Sequence, residues 1–132
     1  MTVTQNELNE IVRLHKLWLI GGPNGRRADL SSADLSSADL SSADLRYADL
    51  SSADLRYANL RYANLDYSCR WLSCKTNSVK VCAKIAAQLA AHFCVLDCDD
   101  PAYRKARKAI LAFAKTSHRA VDLGLKKEAS NV

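Results

Sequence analysis

Apolar and polar positions recur with a period of five between Ala28 and Tyr67. The stretch reads ADLSS ADLSS ADLSS ADLRY ADLSS ADLRY ANLRY ANLDY, eight units without interruption. Leucines five residues apart rotate by roughly 140° around an α-helix and form no apolar stripe. In a flat strand, whose side chains alternate with period two, an odd repeat sends successive leucines to opposite faces. Both problems disappear if the chain turns a corner once per unit, with Ala and Leu inside and Asp or Asn outside.

The A-(D/N)-L-x-x units resemble those of the pentapeptide-repeat family, and the chain is similar to short, phage-encoded members with flanking helices. The resemblance implies a square coil with four units per turn. We therefore expect a mainly β solenoid with α caps, namely a right-handed quadrilateral β-helix of about two coils, an N-terminal capping helix and a C-terminal helical hairpin. Residues twenty apart would then stack, with Leu30 on Leu50, and Asp29 would lie over Asp49 with mutual repulsion. Arg46 would pair with Asp66 across the turns.

The segment before the repeat predicts a helix that covers the first coil. Thr4 and Glu7 have the spacing of a capping box, and apolar residues follow at helical spacing until Gly21, Gly22 and Pro23. The ends of a stacked repeat expose unpaired backbone, so a lid is the simplest role. A dimer interface on the same apolar face is the alternative.

The segment after the repeat predicts a plug and two helices. Trp71 and Leu72 are large enough to close the open end of the coil, and a helix is expected over residues 77–96. Asp100 and Pro101 are typical of a helix start. One face of the second helix would consist of Tyr103, Ala106, Ile110 and Phe113, with Ser117 as an optional last member. The predicted domains are 1–22 for the capping helix, 23–74 for the repeat and 75–132 for a basic helical domain.

The charge is divided unevenly along the chain. The net charge of +5 is the sum of +2 for residues 1–27, −4 for residues 28–67 and +7 for residues 68–132. No apolar run is long enough to span a bilayer, and no signal peptide is seen. These observations predict a cytoplasmic location, in the host cytoplasm if the chain is phage-encoded, with no membrane partner. Reduced thiols are expected for the five cysteines.

No pattern in the sequence favours catalysis, a cofactor or a metal. The aspartates of the repeat occupy equivalent exposed positions, and no glycine-rich phosphate loop is present. His92, Cys94, Cys98 and His118 are loosely grouped, but they lack the paired spacing of structural zinc sites. We therefore expect a non-enzymatic protein without cofactor or metal.

The candidate binding residues lie in the second turn of the repeat and in the basic helix. Tyrosine and arginine replace serine in the later units, which indicates either internal packing or a surface where a base or a protein stacks. The basic helix could bind phosphate groups or simply face solvent. The candidate residues are Arg46, Arg56, Tyr57, Arg61, Tyr62, Tyr67, Arg104, Lys105, Arg107 and Lys108.

Three functions remain open on these grounds. The first is a protein that binds and inhibits a host macromolecule, such as a defence or DNA-processing factor. The second is an oligomer that sequesters a nucleotide in a pocket of Tyr, Arg and basic-helix residues. The third is a structural adaptor or a DNA mimic that binds topoisomerase, a role that the resemblance suggests and the short coil and net positive charge disfavour. A homo-oligomer, dimer or higher, is expected because two turns bury little core; direct binding to duplex DNA is not.

Overall fold

The computed structural model describes residues 2–69 and 78–126. The chain divides into two compact units, Met1–Val81 and Cys82–Val132. The first unit contains helix α1 (Gln5–Leu19) and the repeat, and the second contains helices α2 (Ala83–Cys94) and α3 (Pro101–Ala114). Within the described residues, no helix has the length and apolar character needed to cross a bilayer.

The predicted mainly β class is wrong. In the part of the chain that the structure describes, the regular elements are three α-helices, and no strand or sheet forms. The expected right-handed quadrilateral β-helix is therefore replaced by a stack of turns that is joined by isolated parallel bridges. We call residues 28–69 the repeat coil. Its bridges connect residues twenty apart: Asp29 with Asp49, Asp34 with Asp54, Asp39 with Asn59, Asp44 with Asn64, and Asp49 with Cys69.

The length of the unit explains why strands do not form. Each unit places one residue in a bridge and then turns over two residues, so no two consecutive residues extend the ladder. The last residue of every unit has a left-handed backbone, with φ between 57° and 62°. The predicted stacking of residues twenty apart is confirmed, because the register depends on the twenty-residue turn and not on strand formation.

The interior of the repeat coil consists of leucine and alanine. All eight leucines are 0–3% exposed, and seven of the eight alanines are buried as well. Ala38 is half-buried. The inward placement of both residues of each unit is thus confirmed, with a less enclosed position at Ala38.

Three kinds of hydrogen-bonded contact attach the N-terminal segment to the first turn. Thr2 forms a parallel bridge with Asp34. The side-chain amide of Gln5 donates to the backbone oxygen of Asp39 and accepts from its N–H, both at 2.9 Å. The buried ring of His15 accepts from the N–H of Ala28 at 2.9 Å. α1 therefore acts as the expected lid, and its capping box between Thr4 and Glu7 is present.

The coil continues beyond the eight units with an altered register. Cys69 bridges Asp49 at the twenty-residue spacing, whereas Lys80 bridges Asn59 across twenty-one residues. Ser78 precedes Lys80 by two positions and has φ of 57°, as corner residues do. The repeat geometry thus persists here without the repeat sequence. The predicted plug of Trp71 and Leu72, and Cys74, lie outside the described residues.

The second unit is built from α2 and α3. The Asp100 side chain accepts from the N–H groups of Ala102 and Tyr103 and caps α3, with Pro101 at its first position. Buried Ala91, Cys94 and Ala114 form the centre of the packing. The predicted face of α3 is wrong in part, because Ala106 and Phe113 are exposed. Tyr103, Ile110 and Ser117 are sheltered as predicted, and Arg107 and Ala114 replace the two exposed residues.

Candidate binding surface

The outward Asp or Asn of every unit holds the corner that follows it. In all eight units its side-chain oxygen accepts from the backbone N–H two residues later, at 2.9–3.3 Å. This Asx turn is the usual reason for Asp and Asn at a corner. Hydrogen bonds from Ser31 lower the pKa of Asp29, and they outweigh the opposing effect of neighbouring Asp49. The carboxylates are therefore structural, and the expected repulsion between them is secondary.

Arg46 and Arg56 are held by the carboxylates of their own units. The Arg46 guanidinium donates to Asp44 at 2.7–2.8 Å, and Asp66, the predicted partner, attracts it more weakly. The hydrogen bonds from Arg46 lower the pKa of Asp44. Arg56 donates in the same way to Asp54. At these positions arginine takes the place of the serine hydroxyl that bonds Asp in other units.

Arg61 differs from the other two arginines because its unit contains Asn59 instead of aspartate. Its backbone N–H donates to Asn59 Oδ1 at 3.2 Å. Among the described residues its guanidinium forms no hydrogen bond or ion pair. The change from Asp to Asn thus leaves a cation available at the surface.

The corner tyrosines separate into two groups. The rings of Tyr47 and Tyr67 stack with centroids 5.1 Å apart, and Trp18 meets Tyr47 edge-on. The stacking agrees with the packing alternative for Tyr67, and Tyr47 and Tyr67 are nevertheless 46% and 58% exposed. Tyr57 and Tyr62 are 61% and 73% exposed, and within the described chain neither ring contacts another. The candidate Tyr and Arg residues of the repeat therefore do not form one continuous surface.

The outer side that carries Asn59 combines the exposed groups. One column runs from Asp39 through Asn59 to Lys80, which is exposed. Tyr57 and Tyr62 occupy the corners at either end of the Asn59 rung, and Arg61 lies beside Tyr62. We call these six residues the Asn59 side. Its charge changes from negative through neutral to positive along the column.

The four predicted residues of α3 divide between packing and exposure. Arg107 Nε donates to the backbone oxygen of Cys94 at 2.7 Å, so it caps the C-terminal end of α2. Arg104 donates to the backbone oxygen of Asp99 at 2.7 Å. Lys105 and Lys108 are exposed. Both arginines therefore contribute to the packing of this unit, and the lysines remain candidates.

Sequence reasoning missed Lys80 and the Asx turns. Lys80 lies outside the motif and one residue beyond the twenty-residue register, so no pattern marked it. The Asx turns had a signal, since Asp or Asn stands two positions before each turn residue in every unit. No group of three or more His, Cys, Asp and Glu residues in the described chain is placed to hold a metal.

The coil and the Asn59 side define a tandem-repeat protein that presents tyrosine and cationic groups on an outer face. The sequence model of the pentapeptide repeats matches eight copies over residues 24–46 and 33–66. The matched segment is therefore of the kind found in pentapeptide-repeat proteins. Such proteins are generally non-enzymatic and have structural or binding roles. No curated protein and no solved structure matches the chain significantly.

Proposed function

We propose that the chain is a non-enzymatic binding protein that recognises another macromolecule through the Asn59 side. The observation that carries the proposal is that Tyr57 and Tyr62 are exposed, and make no ring contact within the described chain, at corners where the fold does not need tyrosine. Serine occupies the equivalent corners one turn earlier, at Ser37 and Ser42, with the same left-handed backbone. Tyrosine and arginine are the residues that most often dominate binding energy at protein interfaces.

The charges of the Asn59 side favour a partner that presents acidic groups opposite Arg61 and Lys80. Arg61 and Lys80 are both exposed, and in the described chain neither side chain has an anionic partner. The narrower hypothesis is that the chain inhibits a host macromolecule, such as a defence or DNA-processing factor, by covering an acidic part of it.

The nucleotide and DNA-mimic hypotheses have less support. A nucleotide pocket was expected to use Arg56 and Arg107, and both guanidinium groups already bond within their own units. A DNA mimic needs columns of aspartates whose charge is not neutralised, whereas Asp44 and Asp54 each form an ion pair with an arginine. The adaptor hypothesis differs from the inhibitor hypothesis only in predicting that the partner keeps its activity.

The test replaces both exposed tyrosines with the residue that the coil itself uses one turn earlier. We expect Tyr57→Ser/Tyr62→Ser to melt within a few degrees of the wild type and to lose a stoichiometric partner that the wild type captures from host lysate. Tyr67→Ser is the matched control, because it removes a stacked tyrosine away from the Asn59 side and should retain the partner. Equal capture by wild type and the double variant would refute the proposal, and so would no capture by either.

Two further measurements separate the narrower hypotheses. The activity of the captured factor, assayed with and without the chain, distinguishes an inhibitor from an adaptor. Thermal shift against a panel of nucleotides addresses sequestration. A clear shift that Tyr57→Ser/Tyr62→Ser abolishes would favour a nucleotide over a macromolecule on the same surface.

A further inference from the structure

We propose that the Asn59 side binds a second copy of this chain, side by side and antiparallel, about a two-fold axis that passes near Asn59. The inference rests on the proposed function, because it names one partner of the same surface. The observation behind it is the order of charges along one column: Asp39 is acidic, Asn59 is neutral and Lys80 is basic.

A column of this kind is complementary to itself. In an isologous dimer, residue i of one copy contacts residue j of the other, and j contacts i. The bridges put Asp39, Asn59 and Lys80 on three successive rungs, about 5 Å apart, so the two charges are separated by about 10 Å. Rotation about the central rung brings Asp39 of each copy opposite Lys80 of the other. Two ion pairs then form on either side of an Asn–Asn contact.

The other described columns lack this property. Asp29 lies over Asp49, and Asp34 lies over Asp54, so a two-fold axis between either pair would oppose like charges. Asp44 over Asn64 offers an acidic rung and a neutral one. Within the described rungs, the column with Lys80 is thus the one whose charges match their own two-fold image.

The corners of the same side supply groups suited to such an interface. Tyr57 and Tyr62 project from both ends of the central rung, and Arg61 is available to stack on a tyrosine ring of the other copy. The six residues of the Asn59 side are few compared with the roughly 20–30 residues per partner of a standard interface. Self-association is therefore expected to be weak, concentration-dependent and sensitive to salt.

The experiment is sedimentation velocity of the full chain over a concentration series at low salt, with charge variants of the column. Lys80→Glu places acidic groups at both ends and should weaken dimerisation at least about tenfold, since two attractive contacts become repulsive. Asp39→Lys/Lys80→Glu reverses the order of charges and should restore it. Asp39→Asn/Lys80→Glu, which keeps an Asx acceptor at residue 39, should fall between the two. Lys105→Glu, with the same change of net charge in the other unit, should dimerise as the wild type does.

The outcomes separate this inference from the proposed function. The proposed dimer would be overturned if the wild type stayed monomeric at every concentration. Equal dimerisation of Lys80→Glu and the wild type would also overturn it. The antiparallel arrangement also requires that both double variants associate more strongly than Lys80→Glu. If Asp39→Lys/Lys80→Glu and folded Asp39→Asn/Lys80→Glu both showed no gain, that arrangement would be overturned. Capture of a different macromolecule that depends on Tyr57 and Tyr62 would leave the proposed function standing in either case.

Discussion

Glycine at the corner positions should stabilise the repeat coil, although glycine usually destabilises a protein. Ser32, Ser37, Ser42 and Ser52 all have φ between 57° and 60°. A left-handed backbone costs a non-glycine residue about 1–2 kcal/mol, and glycine avoids most of that cost. Glycine also gives the unfolded chain more freedom, which subtracts about 0.5–1 kcal/mol. We therefore expect Ser37→Gly to raise the free energy of unfolding by about 0.5–1 kcal/mol.

The neighbouring serine provides a matched control in the same unit. Ser36 Oγ donates to Asp34 Oδ1 at 2.6 Å, and Ser36 does not have a positive φ. Ser36→Gly therefore relieves no strain, loses a hydrogen bond worth about 0.5–1.5 kcal/mol and adds the same freedom to the unfolded chain. It should destabilise the protein by about 1–2 kcal/mol. The same substitution one residue apart is thus predicted to change sign.

Combining the corner substitutions enlarges the effect until it is easy to measure. Glycine at all four serine corners should add about 2–4 kcal/mol if the sites are independent, which corresponds to a rise in Tm of roughly 10 °C. Urea unfolding followed by far-UV circular dichroism and tryptophan fluorescence measures the change. If Ser37→Gly lowered stability as much as Ser36→Gly, the strain assigned to the corners would be absent and the reasoning refuted.

Three further predictions concern the interior, the lid and the second unit. Ala58→Leu should overfill the coil and cost about 1–3 kcal/mol. Ser42→Tyr enlarges an exposed corner that carries tyrosine one turn later, at Tyr62, and should change Tm little; equal losses would contradict the inward placement of alanine. Burial lowers the pKa of His15. Its contribution to the free energy of unfolding is therefore complete above the ordinary histidine pKa of about 6.5 and is lost as pH falls below that value. His15→Gln should reduce this loss of stability at acid pH, and an unchanged stability–pH curve would exclude His15 as the cause of the loss. Arg107→Ala should destabilise the second unit by about 1 kcal/mol by removing a cap of α2, while Lys108→Ala should have no effect; equal losses would show that the cap contributes nothing.

The twenty-residue register could be predicted because it depends on side-chain volume and on a constant unit length. Leu30 must lie above Leu50 if every unit turns through the same angle, whatever the backbone does between corners. The secondary-structure class depends on something else, namely how many consecutive residues pair with the next turn. A five-residue unit that uses two residues for its corner leaves one bridging position, such as Asp49. The apolar pattern does not report that number, so the mainly β expectation followed from the resemblance and failed.

The candidate surface was only partly predictable for a related reason. Tyr57, Arg61 and Tyr62 stand out in sequence because they replace serine or follow asparagine in an otherwise uniform repeat. Arg46 and Arg56 look the same in sequence, but each forms an ion pair with the aspartate two residues earlier. The distinction could have been drawn from the Asn in the unit of Arg61, once the Asx turn was recognised.

Lys80 shows at which positions a uniform repeat can carry a different outward side chain. Within the eight units, each outward position is restricted to Asp or Asn because its side chain must hold the following corner. A cation can enter a column only where that requirement ends, after the motif and with one additional residue in the register. The bridge between Lys80 and Asn59 then places the lysine at the end of a column that begins with Asp39, so the sign of the charge changes along the column. A binding surface with mixed charge is therefore expected at the margin of such a coil, where the structure continues and the sequence constraint does not.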